Sequence, residues 1–260
     1  MRDFSFNGVS LSSFGGRIIE APRHTIATRD KTFTNKIYGQ SGDELIDNGS
    51  YNNVTFSVEI GFFTFVSHQT AQQLARAVID WLAPLQNGYY QYRDTENEGY
   101  FTQAALVNFD QVQREMRTFL KATLTFNRVP FWYSDSGQTS VTFYNGGASN
   151  TISNPELYDS EPVYKFVTAR SSGDTLNITV NNQQFSAYLD YSNCNYYFDN
   201  VQKQFYRYYN GDEATGRKVY LSSVLLPNLK PGDNSIAFNL NGSVSTGSFH
   251  LEVTPNWRRL

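Results

Sequence analysis

Three histidines, a single cysteine, two clusters of carboxylates and one tyrosine-rich run are the residues of this chain whose types could do chemistry. His24, His68 and His250 stand far apart, and none has a second histidine at metal-ligand spacing. Cys194 is alone, so neither a thiolate zinc site nor an internal disulfide can form. No G-x-S-x-G elbow, Walker loop or H-E-x-x-H segment occurs. The "NGG" at 145–147 lies between strand-like segments rather than ahead of a helix, so it makes no phosphate cradle. These residues point to no catalytic group, no cofactor and no metal.

Carboxylates need separate treatment, because a glycosidase needs only two and sequence spacing does not reveal them. Asp94, Glu96 and Glu98 in "RDTENEGY" are the densest group, and they read as the solvated tip of a hairpin. Asp43, Glu44 and Asp47 read the same way. The run "NYYFDNVQKQFYRYYNG", residues 195–211, admits two readings. Its rings, flanked by Asn, Asp and Arg, could stack on sugar rings. Alternatively, and favoured by β-propensity, they form two adjacent strands with ring bodies buried and hydroxyls at the rim.

The elements that would position these residues are mostly strands. Residues 4–36 read as short strands broken by Gly15-Gly16 and Pro22, followed by a polar loop over 39–50. Val54, Phe56, Val58 and Ile60 then alternate with Thr55, Ser57 and Glu59, and "GFFTFV" extends this strand to Val66. The period changes in "SHQTAQQLARAVIDWLAP". Leu74, Ala77, Val78, Trp81 and Leu82 share one helical face, with Trp81 as a core anchor and His68 as a solvated first-turn residue. Thr70 and Gln73 form a capping box, and Pro84 supplies the stop. Further strands follow at "NGYYQYRD", "YFTQAALVNFD" and "RTFLKATLTFNRV", the last with Leu120, Ala122, Leu124 and Phe126 on one face.

Pro130 and the Ser/Asp/Gly cluster after it mark a domain boundary between about Phe131 and Gly137. The expected domains are 1–133 and 134–260. Beyond the boundary, "SVTFYN", "VYKFVTA", "TLNITVNN", "FSAYLDY", "KQFYRYY", "KVYLSSV", "SIAFNL" and "SFHLEV" alternate with turns, the mark of a β-sandwich or jelly roll. Composition agrees: 18 Tyr and 20 Phe in 260 residues fit half-buried pleated surfaces and a mainly β protein.

The net charge of −3 excludes little, but its distribution says more. There are 12 basic and 13 acidic residues before Ser134, and 9 basic and 11 acidic after it. Neither half has the cationic excess of a phosphate-binding protein, so sequence-specific nucleic-acid binding is not expected. The chain holds no apolar run of about 18 residues, so no transmembrane helix is expected. Its first residues lack the apolar run of a signal peptide.

Two parts of the chain resemble the distal tail proteins of bacteriophages with long, non-contractile tails. The first is residues 22–92: Pro22-Arg23, a turn at Gly39–Gly42, "DELIDNGSYNNVTFSVEI", a helix ending "WLAP", and "NGYYQYRD". The second is the ending "LLPNLKPGDNSIAFNLNGSVSTGSFHLEVTPNWRRL". Between them, "SAYLDYSNCNYYFDNVQKQFY" is similar to a strand pair of that family. The resemblance implies an N-terminal tail-tube-like β-sandwich with one flanking helix, and a C-terminal galectin-like β-sandwich. It implies a homohexameric ring between the tail tube protein and the tail-tip hub protein, with receptor-binding proteins or fibres held outside and DNA passing through. The location implied is the virion tail tip, after assembly in the host bacterial cytoplasm. The turn residues Gly39, Gln40, Ser41, Gly42, Asp43 and Glu44 would belong to the ring contact or the lumen wall.

Two departures from the family pattern matter. Gly39-Gln40-Ser41-Gly42 stands where many relatives carry "GRDG", so both charges of that turn are gone. The galectin sugar pattern, a His-Asn-x-Arg strand followed by Trp and Glu-x-Arg, is missing, so lactose-type recognition is not expected. The alternatives to a non-enzymatic hub are a monomeric carbohydrate-binding adhesin using the 195–211 aromatics, and a cell-wall glycosidase or peptidase.

Overall fold

The computed structural model describes residues 2–34, 41, 43–67, 69–110, 113–116, 118–144, 149–168, 173–191, 193–210, 212–218, 226–241 and 249–260. The chain divides into two compact units, Met1–Trp132 with Leu260, and Tyr133–Arg259. It is mainly β.

The first unit comprises β1 (Phe4–Phe6), β2 (Val9–Ser10), β3 (Gly16–Glu20), β4 (Arg29–Thr34), β5 (Glu44–Tyr51), β6 (Val54–Phe63), α1 (Thr64–Ser67), α2 (Ala71–Leu82), β7 (Tyr90–Asp94), β8 (Tyr100–Phe109), β9 (Gln113–Met116) and β10 (Phe119–Arg128). Its main sheet runs in the order β2-β1-β7-β8-β10-β6-β3. At its centre β6 and β10 pair over ten residues, from Phe119↔Phe63 to Arg128↔Val54. Strict alternation places Val54, Phe56, Val58, Ile60 and Phe62 inside with Leu120, Ala122, Leu124 and Phe126. Leu74, Val78 and Leu82 of α2 join the same core. Each of the Val, Ile, Leu and Phe side chains contributes about 1.5–3 kcal/mol by burial.

The capping box of α2 is formed, Thr70 accepting from the Gln73 amide and Gln73 accepting from the Thr70 amide at 3.0 Å. One expectation is corrected here: the strand ends at Phe63, and Thr64–Ser67 is helical. The α-helix stops at Leu82, ahead of Pro84 as expected, and a 3-10 turn follows over Ala83–Gln86, with Pro tolerated in its first turn. Trp81 is half-buried rather than central, stacked on Phe14 at 5.1 Å and on Phe4 at 6.0 Å. His68 lies outside the described residues, as does the 145–147 segment.

The strand β11 (Trp132–Ser134) carries the chain across the boundary. The second unit then contains β12 (Val141–Phe143), β13 (Asn150–Asn154), β14 (Val163–Thr168), β15 (Thr175–Val180), β16 (Gln183–Tyr188), β17 (Cys194–Asp199), β18 (Gln204–Tyr209), β19 (Asp212–Lys218), β20 (Gly232–Asn241), β21 (Phe249–Thr254) and β22 (Arg258–Arg259). Two antiparallel sheets form, ordered β12-β21-β14-β17-β18-β19 and β13-β20-β15-β16. Tyr164, Phe166, Tyr196, Phe198 and Leu251 from the first pack with Ile178, Phe185, Ile236 and Phe238 from the second. Of the expected strands, "KVYLSSV" falls beyond the described residues except for Lys218, which ends β19.

Candidate assembly surface

The stretch 44–51, read from sequence as part of a polar loop, is a strand. It pairs with β4 in register Thr34↔Glu44, Phe33↔Leu45, Thr32↔Ile46 and Lys31↔Asp47. This two-stranded sheet has no third strand among the described residues. Residues 31–33 and 44–50 are all exposed. Phe33 and Leu45, opposite one another on one face, are 68% and 49% exposed, and Ile46 on the other face is 44% exposed. Nearby Ile26 is exposed too. An isolated two-stranded ribbon is marginal in water, and this one has apolar side chains on both faces that join neither core cluster of the described residues.

Charge fixes the base of the hairpin. The Arg29 guanidinium lies 3.4 Å from the Asp47 carboxylate and 4.9 Å above the Tyr51 ring. Asp47 accepts from the Gly49 amide at 2.8 Å, and Gly49 takes a left-handed φ of 75°. That amide and the Arg29 charge hold the Asp47 carboxyl below its ordinary range, while Asp47 and Tyr51 push Arg29 up. Asn48 donates to Asp30 across the strands at 3.0 Å.

Beneath the hairpin, residues 22–28 have no regular structure and are held by buried polar groups. His24 donates from Nε2 to Asp94 Oδ2 at 2.6 Å, with Asp94's side chain fully buried. The His24 ring packs on Phe56 at 4.7 Å and Trp132 at 5.1 Å. Burial alone would raise the Asp94 carboxyl, but hydrogen bonds from His24 and Asn97 outweigh it and hold the group low. Arg128, 1% exposed, donates to the carbonyls of Thr25 at 3.0 Å, Val129 at 3.0 Å and Pro130 at 2.7 Å. Burial pulls its guanidinium down to about 10, partly opposed by Asp94, so it stays charged at neutral pH. The Asn52 amide bonds the Thr28 carbonyl at 2.9 Å, and Tyr51 meets Phe131 edge-on at 5.3 Å.

Of the turn residues singled out by sequence, Gly39, Gln40 and Gly42 lie outside the described residues. Ser41, Asp43 and Glu44 are exposed, with Glu44 opening β5 opposite Thr34. Asp43 and Asp47 are the solvated carboxylates expected. Asp94 corrects the reading of its cluster: it belongs to the buried end of β7, while Glu96 and Glu98 are exposed at the turn. The residues missed were Phe33, Leu45 and Ile46. Their signal was present, as lone apolar residues set among charges in "RDKTF" and "DELID".

The His24–Asp94 pair looks like half of a hydrolytic triad, yet its surroundings suit structure. A general base must come within hydrogen-bond reach of a substrate proton. Here the second ring nitrogen, Nδ1, is buried without a hydrogen-bond partner among the described residues, and the ring sits against Phe56, Tyr92 and Trp132. No group of three or more His, Cys, Asp or Glu arranged to hold a metal occurs among the described residues. No described helix is long and apolar enough to cross a membrane.

In the tyrosine-rich run the strand reading holds, but only some rings are buried. Tyr196 is fully buried and its hydroxyl donates to the Tyr191 carbonyl at 2.8 Å, whereas Tyr197, Tyr206 and Tyr208 are half-buried on the outward face.

No family model and no curated protein matches the chain. Solved structures do. The crystal structure of SPP1 Dit, described as a paradigm of the hub adsorption apparatus of phages infecting Gram-positive bacteria, superposes with a TM-score of 0.68 at 15% identity, covering 100% of both chains. The phage P2 baseplate in its activated conformation with calcium gives a TM-score of 0.55 at 7% identity, over 100% of this chain and 98% of the other. The strontium form gives 0.54 at 7% identity over the same shares. The resemblance to distal tail proteins read from sequence motifs therefore returns as a shared fold along the whole chain.

Proposed function

We propose that this chain is a structural distal tail hub of a bacteriophage, six copies closing into a head-to-tail ring between the tail tube and the tail tip. The observation that carries the reading is the β4–β5 hairpin, which exposes Phe33, Leu45 and Ile46 on two strands with no core of their own. A second copy is the natural cover, because a heterologous contact repeated around an axis closes a ring. Residues Gly39–Glu44 lie in sequence between β4 and the start of β5 and share the role of this hairpin. The full-length likeness to SPP1 Dit and to phage baseplate structures supports the place in the tail.

In this reading one face of the ring docks on the tail tube protein and the other on the tail-tip hub protein. The second unit, a galectin-like sandwich, holds a receptor-binding protein or fibre. DNA passes through the opening. The balance of 12 basic and 13 acidic residues before Ser134 suits a channel that must not retain a polyanion. The protein acts in the virion after assembly in the host cell, and its role is non-enzymatic.

The test is the mass of the purified chain by light scattering and native mass spectrometry, followed by negative-stain imaging. A six-fold ring with an open centre is expected, alone or on mixing with the tail-tip protein. A monomer under both conditions refutes the reading.

A further inference from the structure

The outward face of the six-stranded sheet carries one continuous cross-strand row. Register places Thr142 opposite Glu252, Glu252 opposite Lys165, Lys165 opposite Tyr197, Tyr197 opposite Tyr206 and Tyr206 opposite Lys218. Tyr197 and Tyr206 are stacked at 5.1 Å with their planes 11° apart. Tyr208 lies 5.2 Å from each, turned by 60° and 51°. A centroid spacing close to the interstrand distance means that the two parallel rings stand side by side on the sheet. One face of Tyr206 is thus covered by Tyr197, and its other face is directed toward β19.

An open, shallow groove of about 490 Å³ lies on that side. Tyr206 and Tyr208 form one wall, and Gln204, Glu213, Arg217 and Lys218 line the rest. Gly216 leaves room for the Tyr208 ring, since a Cβ there would lie 3.1 Å from Tyr208 Cε1. The row is braced from the other end. Lys165 bonds both Glu252 oxygens at 3.2 and 3.0 Å, lies 5.9 Å over the Tyr197 ring, and shares Glu252 with His250 at 3.0 Å.

We propose that this Tyr197–Tyr206–Tyr208 cluster with its adjoining groove is a saccharide-binding site. A ring face bordered by an amide, a carboxylate and a guanidinium offers what a pyranose presents: an apolar C–H face to stack and vicinal hydroxyls that take paired hydrogen bonds. A protein partner fits less well, because interface cores are depleted of charge, whereas here Lys165, Glu252, Glu213, Arg217 and Lys218 interleave with the rings. Burial and neighbouring phenols and carboxylates push the Tyr206 hydroxyl up to about 12, so it remains a neutral donor at working pH. The site uses none of the residues of the galectin sugar pattern that this chain lacks.

The experiment screens the full chain on an array of bacterial surface glycans, then titrates maltotriose, chitotriose and any array hit by calorimetry and saturation-transfer NMR. Binding is expected, weakened about tenfold or more by Tyr206→Ala and by Gln204→Ala. A thermal midpoint near wild type for the solvent-facing Gln204→Ala separates loss of the site from loss of fold. No binding to any probe overturns the proposal, as does binding unchanged by both substitutions. Photo-crosslinking from position 206 that captures the receptor-binding or tail-tip protein in place of a glycan overturns it in favour of a protein contact. The readout is independent of ring formation, so failure here leaves the hub reading standing.

Discussion

Replacing Phe33, Leu45 and Ile46 together by serine isolates the role of the hairpin. Full burial of such side chains is worth about 1.5–3 kcal/mol each. At exposures of 68%, 49% and 44%, the part still open for a partner to cover is worth about 2.5–5 kcal/mol per contact. That corresponds to a loss of roughly 60-fold to 5,000-fold in pairwise affinity. The entropy of association is common to both proteins and cancels in the comparison, which makes the difference cleaner than either absolute affinity. Within the subunit the same side chains support little, so its own stability should change by no more than about 0.5 kcal/mol. Mass photometry across a dilution series gives the first quantity, and urea unfolding of the dilute monomer gives the second. The expected result is a ring that falls apart while its subunits stay folded. A ring with the wild-type dissociation midpoint would refute the reasoning. So would a parallel loss of subunit stability, since that would mean the three residues serve their own core.

Other consequences follow from the buried polar groups. Because Asp94 is held low in the fold, its stabilising effect is present above its unfolded value near 3.8 and is lost as pH falls through the lower folded value. Asp94→Ala should cost about 3–5 kcal/mol at neutral pH and flatten this acid limb, as read by urea midpoints from pH 7 downward. Arg128→Met leaves the carbonyls of Thr25, Val129 and Pro130 without their donor and should cost a similar amount, about 3–5 kcal/mol by the same measurement. Gly137→Ala should lower the thermal midpoint of the second unit by several degrees, because the new Cβ would collide with the Trp257 backbone nitrogen and lie 2.9 Å from its Cβ.

The parts of the fold legible in sequence are those whose pattern and environment agree. The α2 helix was readable from Thr70, Gln73 and the Leu74–Val78–Leu82 stripe, and β6 and β10 from alternation, because each buries one face only. Arg128 shows how a legible signal is overruled by residue type. It sits in step with Leu120, Ala122, Leu124 and Phe126, so parity put it inside, while its charge argued for solvent. Asp94 failed for a different reason: its partner His24 lies 70 residues away, and a carboxylate in "RDTENEG" has no local sign of burial. The strands β5 and β19, "ELIDNGSY" and "DEATGRK", carry no alternation, because they lie at edges where neither face is sorted by a core. The candidate surface was hidden for that same reason, since apolar residues awaiting a partner have no reason to follow the period of a monomer's core.

The root of the hairpin is fixed, whereas the strand residues 31–33 and 44–50 are exposed. Four ties converge below the hairpin: His24 to Asp94, Arg128 to the Thr25 carbonyl, the Asn52 amide to the Thr28 carbonyl, and Tyr51 against Phe131. Residues 44–50 pair with β4 and are exposed. A segment held at its root loses less conformational freedom on docking than a free loop, so in the proposed ring these buried polar groups would favour association. Amide exchange should separate the two regions. The Asn52 amide should exchange slowly in monomer and ring alike, whereas those amides of 44–50 that do not bond β4 should exchange fast in the monomer and become protected only in the ring. Protection of these amides already in the monomer would show that the hairpin covers its own chain. Their fast exchange in the intact ring would show that the copies meet elsewhere.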